Sequence, residues 1–226
     1  VVLGLATFLV TRDDGSVGVT KTNPLGTVTL SGNNTYTGAT LVSEGTLAVM
    51  VNNALGTTGA GAGTTVASGA TLDFQNVNYS TAEAVALNGN GVGGAGALTG
   101  TGAASFGGNI TLDTASTIGV ATGADALTLG GTVEGPGALS LIGAGTVTLG
   151  GTVGSTTALA SLTQNAATAL NLNGGLVRTA GNQTYDGAVT TGVATTLRTT
   201  AGGNVAVNGA INATAGTLTL DTGAGN

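Results

Sequence analysis

The stretch GTVTLSGNNTYTGAT, residues 26–40, contains no charged residue and no sulfur. It consists of Thr, Gly, Ser, Asn, small apolar groups and one tyrosine. Similar segments occur later in the chain: NQTYDGA at 182–188 resembles NNTYTGA at 33–39, and GAGTVTLGGTV at 143–153 resembles GTVTL at 26–30. Recurrence of a local pattern is typical of repeat architectures, in which each unit buries its apolar face against the next. The chain is therefore predicted to be a repeat protein.

The composition indicates a folded chain with a thin core. Charged residues make up 6% of the 226 residues and aromatic residues 3%, yet hydrophobic residues make up 41%. Disordered chains show the reverse balance, high charge with low hydrophobicity. Glycine occurs 43 times without a strict period of three and proline only twice, which excludes a collagen helix. With few rings, Val, Leu, Ile and Ala must fill the interior.

The charge pattern excludes several partners and chemistries. The net charge is −6, and the only cations, Arg12, Lys21, Arg178 and Arg198, are scattered. Binding to nucleic acid or to anionic membranes needs clustered Lys and Arg, so the sequence predicts neither partner. The chain has no His and no Cys, which excludes the usual Ser-His-Asp and Cys-His nucleophile systems and His or Cys metal sites.

Short pieces of alternating apolar residues predict strands throughout the chain. Leu30, Leu47, Leu129 and Leu149 are expected to point inward, and Thr128 outward. Thr-Leu pairs recur at uneven intervals. The step from the pair at 46–47 to the pair at 71–72 is the longest, the step from LTLGGTV at 127–133 to VTLGGTV at 147–153 is intermediate, and the step from 111–112 to 128–129 is the shortest.

These intervals predict an all-β fold, a parallel β-helix or β-solenoid with corners of Gly and Asn. At one coil per ~20 residues the chain would have about 10–11 coils and a length of roughly 50 Å, because stacked strands lie about 4.8 Å apart.

The N-terminal residues VVLGLATFLV, 1–10, predict a strand that a hairpin turn at Asp14-Gly15 connects to its neighbour. A signal peptide is not favoured, because a basic leader and a cleavage site are missing, and the stretch is too short to cross a bilayer, so no membrane insertion by this segment is expected. The chain does not begin with Met and is expected to be part of a longer protein. STAEAVAL at 80–87 fits either a short helix or a strand that ends in NGNG.

The segment VTKTNPLGTVTLSGNNTYTGATLVSEGTLAV, residues 19–49, resembles the autotransporter-associated β-strand repeat. SGNNTYTGAT and EGTLAV match that repeat closely, whereas Asn23-Pro24-Leu25 departs from its Gly-x-Gly approach. NALGTTGAGAGTTVASGATLDF at 53–74 looks like the sequence that follows the repeat in large bacterial surface proteins. Residues 155–226, with NLNGGLVRTAGNQTYDGAVT, are similar to repeats of long haemagglutinin-like adhesins.

The resemblance implies a right-handed parallel β-helix that is exported and displayed on, or released from, a bacterial cell. One β-solenoid domain is expected over 1–226. Within it we expect an N-terminal hairpin or edge strand at 1–18, the autotransporter-type repeat at 19–74, middle coils at 75–154 and haemagglutinin-like repeats at 155–226.

The candidate sites are weak. Gly91, Gly93 and Gly96, and likewise Gly89, Gly91 and Gly94, match G-x-G-x-x-G, but no helix is predicted after them and a glycine-rich chain produces such matches by chance. The acids are distant in sequence, although stacking could bring Asp113 and Glu134 together, because their separation is close to one coil. The remaining acids considered are Asp73, Asp125 and Asp186. Tyr36 and Tyr185 share a local pattern that favours a structural corner.

No catalytic, metal-binding or cofactor-binding residue is therefore assigned, and no cofactor is expected. We expect a non-enzymatic extracellular rod, either the stalk of a bacterial surface adhesin or a subunit of an extracellular filament or matrix fibre. The alternative is a β-helix that binds or cleaves polysaccharide, which would need a carboxylate pair. The expected partners are adjoining repeats of a longer chain or other copies stacked end to end, and a host or matrix surface is a further candidate.

Overall fold

The computed structural model describes residues 8–13 and 16–223. This part of the chain contains no α-helix and therefore no helix able to cross a membrane; its regular structure is strands and one 3₁₀ turn at Val92–Gly94. The strands are β1 (Phe8–Asp13), β2 (Ser16–Lys21), β3 (Thr27–Leu30), β4 (Thr40–Val42), β5 (Gly45–Val49), β6 (Thr64–Val66), β7 (Ala70–Gln75), β8 (Asn78–Tyr79), β9 (Val85–Gly89), β10 (Leu98–Thr101), β11 (Ala103–Phe106), β12 (Ile110–Val120), β13 (Ala126–Leu129), β14 (Val133–Glu134), β15 (Leu139–Gly143), β16 (Thr146–Leu149), β17 (Leu162–Gln164), β18 (Ala169–Leu172), β19 (Leu176–Thr179), β20 (Gln183–Tyr185), β21 (Val189–Thr191), β22 (Thr195–Thr199), β23 (Val205–Val207), β24 (Ile211–Ala213) and β25 (Leu218–Asp221).

Apart from β1, the strands form three faces, and each face is a stack of parallel strands. The predicted parallel β-solenoid is therefore confirmed. The first face runs β2-β4-β6-β9-β12-β14, continues through the bridge at Val153, and ends in β19-β22-β25. The second face runs β3-β5-β7-β10-β12-β15-β17-β20-β23. The third runs β8-β11-β13-β16-β18-β21-β24.

The number of coils is smaller than predicted. The solenoid makes about 9 turns rather than 10–11, which corresponds to a stack about 43 Å long at the usual strand spacing. The coils are longer on average than the sequence predicted, and they differ in length: Thr27 aligns with Thr46 in a short coil, whereas Leu72 aligns with Leu98 in a longer one. Extra residues are accommodated in the corners, where loops can lengthen at little entropic cost.

Two of the three quoted intervals reflect true neighbours. Leu127 aligns with Val147 and Thr46 with Thr71, as the intermediate and longest steps predicted. The shortest step does not connect neighbouring strands, so that prediction is wrong: Thr111 lies on the first face beside Glu134, whereas Thr128 lies on the third face.

The N-terminal hairpin is present: β1 pairs antiparallel with β2, and Asp13 aligns with Ser16. The predicted turn residues Asp14 and Gly15, and residues 1–7 of the predicted strand, lie outside the described residues. For 80–87 the strand interpretation is confirmed, because Val85 begins β9.

Alternation places the predicted aliphatic residues in the interior. Leu47, Leu129 and Leu149 are buried and Thr128 is exposed, but Leu30 is only partly buried. The first half also contains an aromatic cluster, in which the Phe74 ring centroid lies 5.1 Å from that of Phe106 and 5.5 Å from that of Tyr79. Such offset and edge contacts add to the stability that the buried ring area supplies.

Candidate functional site

The segment 19–49 contains the end of β2 and the strands β3, β4 and β5, and the side chain of Lys21 is buried between its corners. The Lys21 ammonium group donates hydrogen bonds to the carbonyl oxygen of Glu44, at 3.0 Å, and to that of Asn23. Desolvation by burial lowers the pKa of Lys21, and the nearby Glu44 charge opposes that shift. Lys21 therefore joins the corner after β2 to the corner before β5, which is a structural role.

Tyr36 and Gly38, in the middle of the same segment, are also structural. The Tyr36 hydroxyl lies 2.6 Å from Thr40 Oγ1, and burial raises the pKa of Tyr36 to about 12. The Gly38 amide donates to the Val17 carbonyl oxygen at 2.8 Å. A Cβ on Gly38 would lie 2.8 Å from backbone atoms of Val17, closer than real Cβ contacts, so glycine is needed where the coil meets β2.

Tyr185, in the second copy of the pattern, is fully buried on β20. Its hydroxyl donates to Gln183 Oε1 at 2.8 Å, and burial raises its pKa. Gln183 in turn donates to the carbonyl oxygen of Arg198 at 2.8 Å. The interior of this part of the chain thus contains polar side chains as well as the expected aliphatic ones, such as Val177, Val189 and Leu197.

The structure does not bring Asp113 and Glu134 together as a site. The residue aligned with Glu134 is Thr111, so Asp113 is displaced by two positions along β12. Among the described residues no three His, Cys, Asp or Glu side chains lie close enough to hold a metal ion.

Glu134 anchors the loop that follows Val153. It accepts hydrogen bonds from the Ser155 hydroxyl at 2.5 Å and from the amides of Ser155, Thr156 and Thr157 at 2.9, 3.0 and 2.8 Å. Desolvation acts to raise the pKa of Glu134, but these hydrogen bonds outweigh it and the pKa is lowered.

Asp125 and Asp186 also serve local contacts. Asp125 accepts from the Thr122 hydroxyl at 2.7 Å and from the amide of Gly102, one coil earlier, at 2.7 Å, and hydrogen bonding lowers its pKa. Asp186 accepts from Asn208 Nδ2 at 2.7 Å. These acids connect neighbouring turns of the chain.

The glycines of the G-x-G-x-x-G matches form a tight loop that folds back onto the second face. Gly91 has φ 77°, and a Cβ there would lie 1.8 Å from the Gly96 carbonyl oxygen. Gly119 of β12 must also be glycine, because its Cβ would lie 1.9 Å from the carbonyl oxygen of Ala95. The loop packs against protein backbone.

Beside this loop is a pocket of about 280 Å³ that Asp73 lines. Among the five acids named from the sequence, Asp73 is the one whose outward side chain is largely covered. Only 8% of Asp73 is exposed. Its Oδ1 accepts from the hydroxyls of Thr99 and Thr101 at 2.8 and 3.2 Å, and its Oδ2 accepts from Gln75 Nε2 at 2.6 Å. This pocket combines a carboxylate, hydroxyls and the apolar side chain of Val92.

The sequence pattern did not reveal Glu83, whose carboxyl group lies inside the solenoid. Glu83 is 1% exposed; its Oε1 accepts from Thr64 Oγ1 at 3.2 Å, and its Oε2 has no partner among the described residues. Burial raises its pKa to about 7, an effect that the Thr64 bond partly offsets. The helix-or-strand ambiguity of 80–87 hid its inward direction.

Comparison with known proteins gives one match, to part of the chain. Residues 19–49 match the family model described as passenger-associated-transport-repeat. No curated protein and no solved structure matches the chain significantly. The match covers the segment whose Lys21, Tyr36 and Gly38 hold the first coil together. The predicted resemblance is therefore confirmed for this segment: the chain is a parallel β-solenoid in which residues 19–49 match the passenger-associated-transport-repeat.

Proposed function

We propose that the chain is a non-enzymatic spacer in the rod of an exported bacterial surface protein. The observation that carries this proposal is the continuity of its ladders: the first face runs from Val19 to Leu220 through aligned parallel strands or bridges. Each coil contacts its neighbours through strand hydrogen bonds, so a stack of this kind holds its two ends apart along the solenoid axis. The passenger repeat supports export and display at the cell surface.

Such a spacer works as a stalk within a longer chain or as a subunit of a filament. In either setting the last described strands, which include Ile211 and Leu220 with 38% and 54% of their surface exposed, would be covered by the next coil. Unpaired strand edges favour further pairing. Adjoining repeats or another copy are thus the proposed partners, and an adhesive tip or host surface would be contacted by other parts of the assembly.

Removal of one whole coil tests the spacer role. Deletion of residues 126–145 joins Asp125 to Thr146 and brings Val153 beside Ile110, which preserves the inward and outward order of every face. We expect the shortened chain to retain its strand circular-dichroism signal, and cells that produce the whole protein to display it at the same level, measured by antibody binding to intact cells.

The matched control deletes residues 126–135, half a coil, which places unlike faces against each other and should abolish folding. Loss of display after the whole-coil deletion, with the fold intact, would contradict the spacer role.

The alternative of polysaccharide cleavage requires a carboxylate pair. The purified chain should release no reducing ends from polygalacturonate, alginate or a neutral glucan. Release that disappears in Asp73→Asn but persists in Asp113→Asn would overturn the non-enzymatic proposal.

A further inference from the structure

Asp73 is an outward-facing residue that the fold has nevertheless enclosed. It lies on β7 between Ala48 of the preceding coil and Thr99 of the following coil. An outward acid on a solenoid face is normally solvated, yet only 8% of Asp73 is exposed. The fold has therefore enclosed a carboxylate that lies on an outward face.

The wall of the pocket is fixed by a second set of hydrogen bonds. The Thr71 hydroxyl donates to the Gly96 carbonyl oxygen at 2.8 Å and accepts from the Val92 amide at 2.9 Å. These bonds hold both ends of the 91–96 loop, and Val92 and Ala95 line the pocket from that side. Gly119 lies beneath the loop, where a Cβ would lie 1.9 Å from the Ala95 carbonyl oxygen, so the loop packs directly against β12 at that edge of the pocket.

The hydrogen-bond directions determine what the pocket can bind. The Thr99 and Thr101 hydroxyls direct their protons to Asp73, so toward a ligand they can only accept. Three donor groups reach a carboxylate that has about four acceptor positions, which leaves roughly one position open. A ligand must therefore supply donors, and an anionic ligand is disfavoured by the carboxylate.

We propose that this pocket binds one saccharide unit, through its hydroxyl donors to Asp73 and the two threonines and through its C–H surface to Val92. The volume of about 280 Å³ lies just below the usual range of ligand sites, about 300–1,000 Å³, and suits one small ligand. The lining contains no cation, and the hydrogen bonds from Thr99, Thr101 and Gln75 already occupy most of the acceptor positions of Asp73, which disfavours a bare cation. A wider groove of about 810 Å³ borders the same loop at Gly89, Asn90 and Gly91.

Saturation-transfer NMR on the purified chain tests the proposal. The probes are D-glucose, D-galactose, N-acetyl-D-glucosamine, D-glucuronate and methylammonium. We expect saturation transfer to at least one neutral sugar with millimolar affinity, and at least tenfold weaker binding of glucuronate. Thr101→Val keeps the side-chain shape but removes a hydroxyl that accepts from the sugar and orients Asp73, so it should weaken sugar binding at least tenfold. Thr111→Val, at an exposed position of β12, should not.

A second variant keeps the test valid if Thr101→Val fails to fold. Ala121→Leu fills the pocket from an exposed lining position and leaves the Asp73 hydrogen bonds intact, so it too should abolish transfer. Absence of transfer to every sugar, equal transfer in Ala121→Leu, or binding of methylammonium as tight as that of the sugars would overturn the proposal. Failure here leaves the spacer role untouched, because the coil-deletion test does not involve the pocket.

Discussion

Inside the solenoid, the Glu83 carboxyl group accepts a hydrogen bond from the Thr64 hydroxyl at 3.2 Å, and its second oxygen has no partner among the described residues. The carboxyl group is therefore more stable in its protonated form, and its pKa rises from the ordinary 4.5 to about 7. Between these two values the folded chain holds a proton that the unfolded chain releases.

Stability is accordingly expected to fall as the pH rises from 5 to 8, by up to about 3 kcal/mol from this group. Glu83→Gln should flatten the pH dependence and raise the free energy of unfolding at pH 8, measured by urea denaturation. Asp113→Asn, an exposed acid, is the control. The lowered pKa values of Asp125 and Glu134 act with the opposite sign and below pH 5. A Glu83→Gln curve parallel to the original would show that Glu83 is not buried.

The alternation of β13 gives a second prediction. Leu129 is 1% exposed and Thr128, its neighbour, is exposed. Leu129→Asp should destabilise the chain by on the order of 4 kcal/mol or more, because it removes buried apolar surface and inserts an unpaired carboxyl group. Thr128→Asp should change the melting temperature little. Equal melting shifts for the two variants would mean that the inward face of β13 is wrongly assigned.

Gly38 tests the structural interpretation of the passenger repeat. Gly38→Ala places a Cβ 2.8 Å from the backbone of Val17, which cannot move as freely as a side chain, so a loss of about 1–3 kcal/mol is expected. Gly59→Ala is the matched control, because a Cβ there meets nothing within 4 Å. Thermal melts of the two variants provide the measurement. A neutral Gly38→Ala would remove the steric explanation for glycine in this motif.

The fold class could be predicted from local features of the sequence. Alternating Val and Leu, Thr-rich strands and Gly corners all favour short stacked strands, and pairs such as Leu127 with Val147 repeat closely enough to identify neighbours. The coil number could not, because corners differ in length and the repeat interval alone does not show which face a pair occupies. Right-handedness, and the likeness of 155–226 to haemagglutinin-like repeats, stay predictions.

The buried polar groups could not be predicted for a different reason: the alternation of apolar and polar residues does not show which polar side chains are enclosed. Polar residues are usually assigned outward positions, yet Gln164 and Gln183 are fully buried. Their Nε2 groups donate to the carbonyl oxygens of Ala188 and Arg198, while Gln164 Oε1 has no partner among the described residues. Asp73 was considered only as a lone acid, since its threonine donors lie one coil later in the chain and meet it only through the strand register.

The central claim is that successive coils stack in parallel register, and the absence of cysteine allows a direct measurement. Thr128 aligns with Thr148 on neighbouring strands of the third face, a separation suited to a disulfide. The variant Thr128→Cys with Thr148→Cys should form an intramolecular disulfide almost completely under native oxidation, seen by a mobility shift without reductant. Thr128→Cys with Thr163→Cys, whose second position lies on the second face, should remain reduced. Equal disulfide yields for the two pairs would contradict the stacked rod.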